Sequence, residues 1–477
     1  MESEAAQQYI ALLFPQNPEV VHTTVYEYTC HPEGGPTTCA HSNFLKGVQW
    51  SPDGSCLLTA SDDGWMRVYD LPQDVLSCPA PLLLDPPLLC PDSTPSQLPG
   101  CQDASADSGL RHHGDSLRPA LRVQEGETVY DYAWYPEMRA TDLQTCCFAT
   151  TSRGHPVHLW DAASGTLRAT YRGYNDVDEV TPAFSLAFSP DGLQLWAGYA
   201  KHMLVFDVSR PGRESRRVKC SAPGPAGLAA RLPGIVSCMA FAPNGNALAV
   251  GTYAGTIGIW DPRLPELQLL LQGHKGGLTQ LLYTHDSNFL LSGARQDPHL
   301  LCWDLRMAGG LAGGDGPQAA LYQLPRDTAT TNQRIAFSLE PCGRHVATGG
   351  CNGSVRVFDL QTGSLVDTLP VASDTVNGCA FHPSLPLLAV ATGQRRYLLG
   401  EAIDIESDDE QTPVDKPHRP GVSAPCVDAP AHSAPHSAPH TAENAPACSL
   451  MSEQGPPASA PCSNALRILR MRFEVVH

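Results

Sequence analysis

An aromatic residue followed at once by aspartate closes a short apolar run six times along the chain. The pairs are Tyr69-Asp70, Trp160-Asp161, Phe206-Asp207, Trp260-Asp261, Trp303-Asp304 and Phe358-Asp359. They are 91, 46, 54, 43 and 55 residues apart. A reverse turn, Ser-Pro-Asp-Gly, stands at 51–54 and 189–192, with Ala-Pro-Asn-Gly at 242–245 and Glu-Pro-Cys-Gly at 340–343. Short apolar runs flank each turn, such as VQW before the first and CLLTA after it. Proline and glycine reverse the chain at fixed places, and the second run is apolar throughout, as a strand covered on both faces must be. A chain written this way repeats one small unit that cannot bury its own apolar face and must stack on copies of itself.

A period near 40–45 residues that closes on Trp-Asp marks the WD40 repeat, four antiparallel strands to a blade. The expected fold is all-β: a seven-bladed WD40 β-propeller with a disordered acidic, Pro-rich insertion in the last blade. The blades are read at 43–72, 126–172, 182–220, 234–273, 276–324, 332–370 and from 375 onward, so that the propeller covers 43–400. Residues 1–42 form an N-terminal arm in which HTTVYEYTC (22–30) offers an outer strand to close the ring. Residues 73–125 read as a flexible insertion between blades one and two, and 401–463 as a low-complexity insertion within blade seven. Alternation returns in ALRILRMRFEV, so 464–477 is expected to complete that blade.

Charge follows the same division. Segments 1–42, 73–125 and 401–463 carry net −5, −4 and −8, which leaves −1 of the total −18 for everything else. A nearly neutral body is free to carry a basic face. The first residues have neither a basic n-region nor a long apolar stretch, so no secretory signal is expected, and no apolar run is long enough for a membrane-spanning helix. Cys56, Cys238, Cys302 and Cys379 lie inside apolar runs, where a reduced thiol acts as a small hydrophobe. With 17 scattered cysteines and no CxxC pair, a reducing compartment is expected, with no metal and no cofactor.

For chemistry the chain offers little. Asp131, Asp176, Asp178 and Glu179 can be posed as paired carboxylates or as ordinary loop caps, and no phosphate-binding loop or nucleophile elbow is present. In the fifth unit His274, Ser292, Asp297 and Trp303 have the spacing of a buried hydrogen-bond set that braces a blade, a structural role. Ser407, in IESDDE, is a candidate phosphorylation site for an acid-directed kinase.

Binding is the default work of a propeller, and one face gathers the b–c turns and the loops that lead into each strand a. On that face the sequence places Phe44, Lys46, Tyr130, Arg153, Lys201, Lys275, Arg295, Arg334 and Arg395. Cations interleaved with aromatic rings suit single-stranded RNA, because the cations neutralise phosphates and the rings stack unpaired bases. These nine are the expected RNA-binding residues.

NFLKGVQWSPDG, VQEGETVYDYAWY, GHKGGLTQLLY, SGARQDPHLLCWDLR and TTNQRIAFSLEPCG resemble, in order and spacing, the telomerase Cajal body family of WD-repeat proteins. The resemblance runs over about residues 40–400. It implies a non-catalytic RNA-binding adaptor, not an enzyme, that recognises the CAB-box element of small Cajal body RNAs and telomerase RNA. It implies delivery of those particles to Cajal bodies and support of telomerase recruitment to telomeres. The implied partners are the telomerase reverse transcriptase holoenzyme, dyskerin-type H/ACA proteins, coilin, the survival-of-motor-neuron protein and, for folding, the cytosolic chaperonin, with no membrane. The implied locations are the nucleus, Cajal body and telomere, with some cytoplasmic protein. A competing reading rests on Trp260-Asp-Pro-Arg263 and Trp303-Asp-Leu-Arg306, which fit the WDxR pattern of cullin–RING ubiquitin-ligase substrate receptors.

Overall fold

Seven four-stranded antiparallel sheets follow one another along the chain, each built from the apolar runs and turns that the repeat predicts. The computed structural model describes residues 9–14, 18–24, 43–72, 75, 117–223, 229–264, 266–306, 320–395 and 464–476. Blade two is typical, with strands a to d at Val129–Trp134, Cys147–Ser152, Val157–Asp161 and Leu167–Tyr171. Its strand b is buried at every position, because neighbouring blades cover both faces. Each aromatic–Asp pair ends a strand c, with the aromatic inside the blade and the aspartate at the turn.

No blade owns a core. Among the described residues, most buried apolar side chains fall into seven clusters, each of which joins two neighbouring blades. Trp196 and Trp260 sit between blades three and four, whereas Leu291, Phe337 and Phe358 sit between blades five and six. The ring is closed by Leu45, Leu57, Ala389 and Ile468, between blades one and seven. This arrangement gives the seven-bladed propeller that the sequence predicts.

Two segments differ from the expected boundaries. Leu121–Gln124 pairs with Trp65–Asp70 and is the outer strand of blade one. The chain therefore departs and returns inside blade one, not between blades one and two; Val123 is buried against Val129 and Phe148, which holds the returning strand in place. Blade seven is assembled from Val376–Phe381, Leu387–Thr392, Leu466–Arg470 and Glu19–Thr24. The outer strand thus lies earlier than 22–30, with His22 and Thr24 buried and residues 25–30 outside the described set. The expected 401–463 insertion and Ser407 also lie outside it.

Ile468 is fully buried where the two chain ends meet. Ile468→Ala is expected to destabilise the propeller by about 2–5 kcal/mol and Ile468→Val by about 0.5–1.5 kcal/mol. Chemical denaturation reads both; equal midpoints for wild type and Ile468→Ala would mean that the closing strand contributes nothing to stability.

Candidate nucleic-acid interface

The hydrogen-bond set expected in blade five is complete. His274 Nδ1 lies 2.8 Å from Asp297 Oδ2 and its Nε2 2.7 Å from Ser292 Oγ, while Trp303 Nε1 donates to Ser292 Oγ at 2.8 Å. Burial alone would raise the Asp297 carboxyl, but the His274 contact outweighs it and holds the acid below its ordinary range. The result is a fixed turn, His274 to Gly277, at the junction of blades four and five.

Blade two carries a second version that sequence reading missed. Glu125 stands in the loop before strand a, where blade five has His274. Its carboxylate accepts from Thr150, from Ser152 at 2.9 Å and from Trp160 Nε1 at 2.9 Å, with His158 Nδ1 at 3.2 Å. Burial would raise its pKa, yet the bonds from His158 and Thr150 outweigh that and lower it to about 2. A lone glutamate after LRVQ fits no motif, and the only available signal was that Thr150 and Trp160 occupy the same blade positions as Ser292 and Trp303.

The central channel, of about 720 Å³, is walled by strand a of the blades. Arg334, in the lead-in to blade six, does not face the solvent rim as the sequence suggests. Its guanidinium donates to the carbonyls of Tyr130 at 2.5 Å, Ser237 at 2.8 Å and Thr279 at 3.1 Å, and lies 3.5 Å from Asp131. Asp131 in turn accepts from the Leu186 amide at 2.9 Å. Arg334 therefore ties its own blade to blades two, four and five. Burial opposes its charge, but Asp131 beside it keeps the guanidinium protonated.

The other rim residues divide into two sectors. Around blades seven and one the charges are paired: Asp62 takes Lys46 at 3.0 Å and Arg395 at 2.7 Å, and these cations overcome burial to hold its carboxyl below the usual range. Phe44 is only 6% exposed and packs beside Gly393, so it is core and not a stacking surface. From blade two to blade five the picture reverses. Arg153, Lys201 and Lys275 are exposed and have no ion pair among the described residues. Arg295 is half-buried, with one guanidinium nitrogen on the Asn332 carbonyl. Half-buried Tyr130 stacks on Phe184, with centroids 5.5 Å apart.

The alternative chemistries find no common place. Asp131 is in the channel, whereas Asp176, Asp178 and Glu179 cap a surface hairpin, where Arg217 and Arg213 pair with the two aspartates. Arg263 and Arg306 each fork onto the aspartate of their own motif, Asp261 and Asp304. Burial pushes the thiols of Cys56 to about 11 and of Cys238, Cys302 and Cys379 to about 12, so these are packing groups.

Comparison with known proteins adds the following. The family model described as WD domain, G-beta repeat, matches residues 25–70, 229–261, 265–304 and 329–359. Telomerase Cajal body protein 1 of Mesocricetus auratus is 39% identical over 394 residues, 80% of this chain and 63% of the relative. The Mus musculus protein of that name is 41% identical over 365 residues, 74% of this chain and 60% of the relative. The Drosophila melanogaster homologue is 36% identical over 364 residues, 74% of this chain and 58% of the relative. The chain thus spans about three-fifths of the length of the relatives it matches.

The Glu125 cluster generates a pH prediction. A carboxyl lowered from 4.5 to about 2 stabilises the fold above the unfolded value and loses that contribution as pH falls through about 2. The contribution is on the order of 3 kcal/mol. In Glu125→Gln the part of the stability loss between pH 4.5 and 2 that comes from this group should vanish. Denaturation midpoints measured across that window test it; parallel curves for the two proteins would show that Glu125 is not held as a buried carboxylate.

Proposed function

We propose, from its WD-repeat propeller and its similarity to the telomerase Cajal body proteins, that this chain is a non-catalytic RNA-binding adaptor. Its RNAs are those that carry the CAB-box element, small Cajal body RNAs and telomerase RNA. It directs these particles to Cajal bodies in the nucleus and supports telomerase recruitment to telomeres. It works with the telomerase reverse transcriptase holoenzyme, dyskerin-type H/ACA proteins, coilin and the survival-of-motor-neuron protein, and it folds on the cytosolic chaperonin.

The observation that carries this reading is the unpaired cationic sector from blade two to blade five. A salt-bridged cation has little left for a phosphate, whereas Arg153, Lys201 and Lys275 remain available for one. The b–c turns of blades one, four and six place Gly64, Gly255 and Gly353 in the left-handed region, at φ of 77°, 76° and 78°. Blade three puts Lys201 there, at φ of 65°. A side chain in that conformation costs about 1–2 kcal/mol, a strain that persists at functional positions. The contact set for RNA is therefore Arg153, Lys201, Lys275, Arg295 and Tyr130, while Phe44, Lys46, Arg334 and Arg395 hold the frame.

Lys201→Gly is expected to raise stability by about 1 kcal/mol and to weaken RNA binding, whereas Lys201→Arg keeps the affinity. Should stability rise with affinity unchanged, Lys201 is a turn residue alone. Replacing Arg153, Lys201 and Lys275 together by alanine should make the slope of log K against log salt shallower by about 2, since each phosphate contact to a single strand contributes about 0.7. Titration of a small Cajal body RNA into the protein at several salt concentrations reads it. An unchanged slope would move the RNA off this sector.

A further inference from the structure

Of the large apolar side chains left exposed among the described residues, Tyr253 is the single aromatic; the others are leucines and valines. It lies within the cationic sector, in the b–c turn of blade four, directly after Leu248–Thr252, and is 40% exposed. The sequence reading of this face passed over it, because TYAG looks like a plain turn.

Everything around Tyr253 holds it still. Its amide donates to the Ile235 carbonyl at 3.0 Å, and the Lys201 amide donates to Gly234 at 3.0 Å, so the two side chains rise from consecutive anchor points. The Arg295 guanidinium, fixed on the Asn332 carbonyl, lies 5.7 Å from the centre of the ring, within cation–π range. The turn His274 to Gly277 packs against both residues. A Cβ on Gly277 would come 2.9 Å from Tyr253 Cδ1, and a Cβ on Gly276 would come 1.8 Å from the Arg295 carbonyl oxygen. Only two successive glycines let this turn sit so low, and the exposed Lys275 precedes them in the same turn. The buried His274–Ser292–Trp303 set fixes the turn in turn. The site is therefore a partly exposed aromatic ring with one guanidinium within cation–π range and an exposed lysine on each of two neighbouring turns.

We infer that Tyr253 is a base-stacking site, where its exposed ring takes one unpaired base of the bound RNA while Lys201 and Lys275 neutralise the phosphates on either side. The inference rests on the RNA-binding reading and gives it a nucleobase subsite. Ring and guanidinium are already in place, so little conformational freedom is lost when a base arrives. A π-face recognises any base, so this subsite adds affinity for a splayed loop and leaves sequence choice to other contacts.

The test uses the full chain and a small Cajal body RNA hairpin, together with versions in which each loop base in turn is replaced by an abasic sugar. Stacking on one ring corresponds to about 5- to 150-fold in affinity. Tyr253→Ala is expected to lose that factor with an unchanged salt slope, and Tyr253→Phe to keep wild-type affinity. One abasic position should weaken wild type by the same factor and have no further effect in Tyr253→Ala. Photocrosslinking of 4-thiouridine at that position to the Tyr253 peptide of the unmutated chain supports the same contact without a mutation. Wild-type affinity in Tyr253→Ala, or additive losses with every abasic RNA, overturns the stacking site while the RNA reading stands. A wild-type chain that binds none of these RNAs overturns both.

Discussion

The packing rests on closure of the ring by the two ends of the chain. Each blade is a sheet with both faces apolar, so every blade needs a neighbour on either side, and a row of seven would leave two apolar faces in water. Packing of blade one on blade seven through Leu45, Leu57, Ala389 and Ile468 removes both faces at once, and the pairing of Glu19–Thr24 with Leu466–Arg470 completes the blade that makes this possible. It also makes every blade–blade cluster depend on the others, because opening any junction exposes strand b of two blades. Stability is thereby shared over the ring, and the loops at its rim are left free to vary.

Inside the ring, Arg334 performs for the channel what the strand pairing performs for the circumference. A guanidinium drawn partly out of water is costly unless its hydrogens are spoken for. Here three carbonyls and Asp131 supply the partners, and they come from blades two, four and five. The ion pair is best understood as a device for register. It fixes which strands a face each other across the channel, and so where Tyr130 and the blade-two lead-in stand at the mouth.

The fold was legible because its information is local. Each aromatic–Asp pair and each Pro-Asp-Gly turn states its own position, and the wholly apolar strands b state their burial. What escaped is information about direction and distance. Leu121–Gln124 joins blade one after a long excursion, with no pattern to say which sheet it enters. Phe44 and Arg334 are on the predicted face by position, yet one side chain turns into the blade seven junction and the other into the channel. No count of aromatics and cations contains that choice; it follows from cavities that exist only once the ring is closed. Glu125 escaped for a related reason, since its partners are brought together by the strand pairing of blade two and not by spacing.

The proposed division between frame and interface follows from what each cation touches. Lys46 and Arg395 face Asp62, and Arg334 faces backbone carbonyls, so their charge is spent internally. Lys201 and Lys275 sit on turns whose shapes are enforced from below, one by a left-handed residue and the other by two glycines over a buried histidine. The backbone of each turn is satisfied within the propeller, with the Lys201 amide on Gly234 and the Lys275 amide on Asp297, whereas neither lysine side chain has an ion pair among the described residues. Charges that stand on fixed turns with no internal partner are open to one from outside the chain, and a flexible polyanion with exposed bases suits both the cations and the ring on the neighbouring turn.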